Sequence, residues 1–129
     1  MSAAPYAHTI LTSRLGLVAI PVKFTATTAG AVVTPYVDAP YIQSIVKGTT
    51  GFVITFKDKW AGFDGFNAHI LPVAYDATRA TDIENTVNGV ASNPSVLTFL
   101  TTNKAGTAVD LTTGDTVSMV LFMSYKKKA

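Results

Sequence analysis

The side chains able to do acid–base or nucleophilic chemistry are few and scattered. His8 lies near the N-terminus and His69 sits in the middle of a β-like run. A hydrolytic relay needs a serine and an aspartate brought to one of them by the fold. No Gly-x-Ser-x-Gly or His-Glu-x-x-His motif marks such a place, and His69 reads as a surface or strand-packing residue. The seven aspartates, at 38, 58, 64, 76, 82, 110 and 115, never take the Asp-x-Asp-x-Asp-Gly spacing of a calcium loop. A site built from distant loops stays open. Asp110 and Asp115 flank Leu111-Thr112-Thr113-Gly114 and read as turn caps. With Glu84 the only glutamate, a buried carboxylate pair for glycoside hydrolysis is not expected. Neither glycine-rich phosphate-binding pattern occurs, and no cysteine is present to form a disulfide or a thiolate metal site. The sequence therefore assigns no catalytic residue, no cofactor and no metal ligand.

Composition points the same way, towards contact and away from catalysis. The chain has 129 residues, enough for one domain with its own core. Only 14% of them are charged, against an ordinary quarter, so much of the surface must be neutral. Nineteen threonines against one glutamate favour strands, because β-branched side chains suit a pleated surface. A formal net charge of +2 is too small to imply nucleic acid. Three of the ten basic residues are Lys126, Lys127 and Lys128, which read as a solvated tail at 126–129. The first residues lack the basic start and apolar core of a signal peptide, and no apolar run is long enough to span a membrane. The expectation is a protein made and used without export.

The elements that would position any functional side chain are short strands. Residues 1–14 read as an arm, with Tyr6, Ile10 and Leu11 available to dock, and 15–125 read as the folded domain. In residues 17–27 the even positions Val18, Ile20, Val22, Phe24 and Ala26 are apolar, while Pro21 puts this strand at an edge or bends it. A turn at 28–30, a short apolar piece at 31–34 and a proline-bounded loop at 36–40 follow. Residues 41–46 and Gly51–Phe56 make a hairpin around Lys47-Gly48-Thr49-Thr50. A glycine-rich corner at 61–65 leads into a strand predicted at 66–75, where Pro72 interrupts or ends pairing. Residues 76–94 read as a long loop. In it Thr81-Asp82-Ile83-Glu84 weakly resembles a helix capping box, and the expectation is one turn of helix or a short strand near 86–90. Two final β segments, Val96–Thr102 and 116–125, enclose a polar connector with turns at Gly106 and Gly114-Asp115. In the last one Val117, Met119, Leu121, Met123 and Tyr125 share one face, yet Val120 and Phe122 make the other face apolar too. Such a strand is covered on both sides. The pattern as a whole predicts an all-β, single-domain antiparallel β-sandwich or small jelly-roll-like barrel.

Two local patterns carry a family resemblance. One is Gly48-Thr49-Thr50-Gly51-Phe52-Val53-Ile54-Thr55-Phe56-Lys57-Asp58-Lys59-Trp60. The other is Val96–Thr102, then Gly106, then Asp110-Leu111-Thr112-Thr113-Gly114-Asp115-Thr116-Val117 and the apolar strand. Together they resemble small β-sandwich virion proteins of tailed bacteriophages, above all the capsid decoration (cement) proteins, over the second two-thirds of the chain. These are fold signatures, not active-site signatures. The resemblance implies a non-enzymatic protein that binds the outside of an assembled capsid and bridges capsomers. Its implied partners are the major capsid protein and sister copies in a homotrimer, with no nucleic acid and no membrane. Its implied place is the capsid surface of the virion, after synthesis in the host cytoplasm. The expected interface residues are Tyr6, Ile10 and Leu11 in the arm, Arg79 and Ile83 in the long loop, and Phe122 and Tyr125 in the last strand. The alternative is a tail, baseplate or fibre module that binds receptor glycans on exposed Tyr36, Trp60 and Phe63; a buried Trp60 counts against it.

Overall fold

The computed structural model describes residues 16–27, 41–86 and 94–125. The expected arm, the stretch 28–40, residues 87–93 and the lysine tail lie outside the described residues, and so do Tyr6, Ile10 and Leu11. Among the described residues seven strands are formed: β1 Leu17–Thr25, β2 Ile42–Lys47, β3 Gly51–Phe56, β4 Gly62–Leu71, β5 Asp82–Asn85, β6 Val96–Thr102 and β7 Thr116–Ser124. They build two antiparallel sheets, ordered β1-β7-β4 and β2-β3-β6-β5. The protein is a β-sandwich, as the alternating apolar pattern requires.

Each strand sends one set of side chains between the sheets. From the first sheet come Val18, Ile20, Val22 and Phe24 of β1 and Val117, Met119, Leu121 and Met123 of β7; from the second come Phe52, Ile54 and Phe56 of β3 with Leu97 and Phe99 of β6. Phe99 is the hub. Its ring stacks on Phe52 at 5.2 Å and meets Phe66 edge-on at 5.1 Å, while Phe52 in turn meets Phe24 at 4.9 Å. Edge and offset geometries suit the aromatic quadrupole, and each such pair adds about 0.5–1.5 kcal/mol beyond its area burial. The backbone accommodates this packing at Gly51, where φ is +124°. A Cβ there would stand 2.1 Å from the Phe99 carbonyl oxygen, so only glycine lets β3 lie against β6 at this point.

Pro21 is tolerated for a reason that can be read from the ladder. The register between β1 and β7 is unbroken, the Tyr125 N–H donates to Gly16 O at 2.9 Å, and the Ala26 N–H donates to Asp115 O at 2.8 Å. Alternation then directs the even-numbered backbone groups of β1 at β7 and the odd-numbered ones away from it. Pro21 is odd, so the missing N–H falls on the side away from β7, where no strand of the described residues pairs with β1.

Beyond shifts of one or two residues at strand ends, two segments differ from expectation. Strand β4 spans Gly62–Leu71, not 66–75, because a bulge between Phe63 and Gly65 keeps the glycine-rich corner inside the ladder with β7. Gly65 takes φ +138° there, and Asp64, left over by the register shift, accepts a hydrogen bond from the Ser124 hydroxyl. Pro72 ends the pairing, as expected. The Thr81-Asp82-Ile83-Glu84 segment caps no helix: the Thr81 N–H that a capping glutamate would take donates instead to Thr102 O at 2.8 Å, and 82–85 extend as β5 along β6. No helix forms among the described residues. The expectation that β7 is covered on both faces is met on one of them only, and β7 lies in the middle of its sheet. Its odd face is core, while Val120 and Phe122 are half-buried on the outer face, Phe122 lying in register between the small residues Ala19 and Gly65.

Candidate functional site

The fold disperses the chemistry-bearing side chains. His69 is exposed on β4, in a row with Ser118 of β7 and Lys23 of β1. Asp110 pairs with Lys47 at 3.2 Å, Asp64 is engaged by Ser124, and Asp76 accepts from the Thr78 N–H and hydroxyl, both at 2.8 Å. The amide of Thr78, then its hydroxyl, with Arg79 nearby, hold the Asp76 carboxyl below the ordinary aspartate range. Among the described residues no three His, Cys, Asp or Glu side chains gather where they could hold a metal ion. His8 and Asp38 lie outside them.

The aromatic residues that a sugar could stack on are mostly core. Trp60 is 9% exposed, edge-on to Tyr41 at 5.3 Å and to Phe56 at 5.9 Å. Phe63 is buried and stacks on Phe66, Tyr41 is half-buried, and Tyr36 lies outside the described residues.

Two parts of the described surface are apolar and neutral. On the outer face of the larger sheet, the rows Val46–Val53–Thr98 and Ser44–Thr55–Val96 carry no charge, with Val46 and Val96 exposed. The strongest exposure of large apolar side chains falls at the end of β4 and just beyond it, where Leu71, the last strand residue, is 53%, Val73 59% and Tyr75 67% exposed within five residues. Scattered apolar residues on a surface are unremarkable, but a concentration of them is the usual sign of a contact region.

This apolar loop has an ordered backbone. At its start the Val73 N–H donates to Asp115 Oδ1 at 2.9 Å. Further on, Arg79 Nη1 donates to Ala74 O at 3.3 Å and the Arg79 N–H to Asp76 O at 3.0 Å. Ala80 is fully buried and pins the end. With its backbone groups engaged in this way, the loop offers chiefly side chains to a partner.

The structure places the expected interface residues differently from one another. Arg79 belongs to this loop and braces it from within. Ile83 is half-buried on β5 and packs against the core, and Phe122 is half-buried on the outer face of β7. Tyr125 is 43% exposed at the end of β7, where its N–H bonds Gly16. The sequence runs the strand on through Val73 and Tyr75, which hides their exposure, while Leu71 is the true last residue of β4. The available signal was Pro72, after which Val73, Ala74 and Tyr75 had no ladder to join. Asp115 was read as a turn cap only; its bond to Val73 has no signature in sequence.

These features define a β-sandwich with a braced apolar loop and uncharged outer rows. No family model, curated protein or solved structure matches the chain.

Proposed function

We propose that this chain is a non-enzymatic structural protein of a virion, a decoration protein that attaches to the outside of an assembled phage capsid and bridges neighbouring capsomers. The observation that carries the reading is the braced loop exposing Leu71, Val73 and Tyr75 on a sandwich with uncharged outer rows. The sequence patterns around 48–60 and 96–117 support it by resemblance. A protein of this kind works through contact area, and specific stable interfaces bury about 1,200–2,000 Å² in total. Sparse surface charge lowers the desolvation cost of such contacts. Because the protein binds the assembled lattice and not its dissociated subunits, mass action favours the lattice, by about 2.7 kcal/mol per site at a hundredfold excess over Kd.

In this reading the partners are the major capsid protein and sister copies in a homotrimer, and the location is the capsid surface. The test is direct: purified protein is added to undecorated capsids of its virus. Co-sedimentation with the capsids and a raised capsid melting temperature are expected; failure to bind them overturns the proposal. The glycan-binding alternative is not favoured, since Trp60 and Phe63 are core residues.

A further inference from the structure

We infer that Asp115 is the latch that holds the apolar loop in its binding shape, so that a side chain with no exposed surface controls attachment; this rests on the docking role proposed above for residues 71–75. Asp115 is 0% exposed, yet it ties three segments to the start of β7. Its Oδ1 accepts from the Val73 N–H and its Oδ2 from the Thr112 N–H, each at 2.9 Å. Its own N–H donates to Thr112 O at 2.9 Å, and its carbonyl accepts from the Ala26 N–H at 2.8 Å. The loop, the turn before β7 and the end of β1 therefore meet at one residue.

The chemistry of the site calls for a carboxylate. Two backbone amides approach from separate segments, and the aspartate side chain presents one acceptor oxygen to each. Asparagine has the same shape but turns an NH2 donor towards one of the two N–H groups, leaving that amide unpaired. Gly114 completes the seat. It has φ +95°, a conformation that strains any residue with a side chain, and a Cβ there would lie in contact with Cβ and Cγ2 of Val73 at 3.4 Å. A loop held this way has little order left to acquire on binding, and loosening it lowers affinity by the fraction of time it spends out of shape.

Amide hydrogen exchange on the isolated protein tests the latch without any partner. In Asp115→Asn, the Val73 or Thr112 amide should exchange about tenfold faster or more, while the core amides of Ile54 and Leu121 keep their protection. In Gly114→Ala, which leaves the carboxylate in place and serves if the first variant does not fold, the Val73 amide should also speed up. Both variants should attach to capsids more weakly than wild type, although neither changes an exposed apolar side chain. Unchanged Val73 and Thr112 exchange, or equal acceleration of the core amides, overturns the latch. So does a loosened Val73 with full capsid attachment, provided that Leu71→Ser/Tyr75→Ser loses attachment. If that loop variant also attaches normally, the docking reading fails and takes the inference with it.

Discussion

Replacing Leu71 and Tyr75 together by serine should detach the protein from its capsid while leaving the fold alone. Leu71 is 53% and Tyr75 67% exposed, so the core loses little. Surface changes of this sort usually move stability by no more than about 0.5 kcal/mol. The effect on binding follows from the area still open to be covered. A tyrosine buries roughly 150–250 Å² in full, so about two-thirds of that at about 25 cal/mol per Å² is worth about 2.5–4 kcal/mol. Half a leucine side chain adds about 1 kcal/mol. The ordering and desolvation costs of docking reduce the sum, and about 3 kcal/mol, or roughly a hundredfold in Kd, is a fair expectation. Occupancy on capsids, titrated by co-sedimentation or counted in particle images, reads this directly. Thermal unfolding of the free variant provides the control. Wild-type occupancy at concentrations near Kd, with the variant properly folded, would refute the loop as the docking element.

Two other outcomes follow from the geometry. Gly51→Ala should destabilise the sandwich by at least about 3 kcal/mol, since φ +124° and a 2.1 Å approach to Phe99 O cannot both be kept; a melting temperature within a few degrees of wild type would contradict this. Asp76 has a carboxyl held below its unfolded value of about 3.9, so its stabilisation of the 76–79 turn is present above that pH and is lost as the pH falls through the lowered value. The Thr78 amide resonance should therefore shift only in acid, and a titration midpoint at or above about 4 would show that the bond is not made in solution.

How much could be read in advance depended on whether a feature was local. The hairpin of β2 and β3, the inner face of β1 and the last two strands were legible, because period-two burial and glycine turns are written in neighbouring residues. The start of β4 was not, because a bulge at Asp64 is decided by the partner strand. Strand β5 was hidden for a similar reason: four residues with a polar alternation become a strand only when Thr102 O offers a place beside β6. The candidate site was the least legible. Val73 and Tyr75 read as strand residues until Pro72 is seen to stop the ladder. The bond from Asp115 to Val73 joins residues far apart in the chain, and nothing in either neighbourhood announces it.

The proline on β1 bears on how copies of this protein can meet. Among the described residues no strand pairs with the far side of β1, and any strand added there, from a second molecule included, finds a backbone donor absent at the midpoint, between Ala19 and Lys23. Hydrogen-bonded polymerisation along this edge is interrupted within a few residues of starting. Copies can crowd together at high local concentration without this strand knitting them into filaments. Association through this region is then left to side chains, whose contacts can form and release without unzipping a sheet.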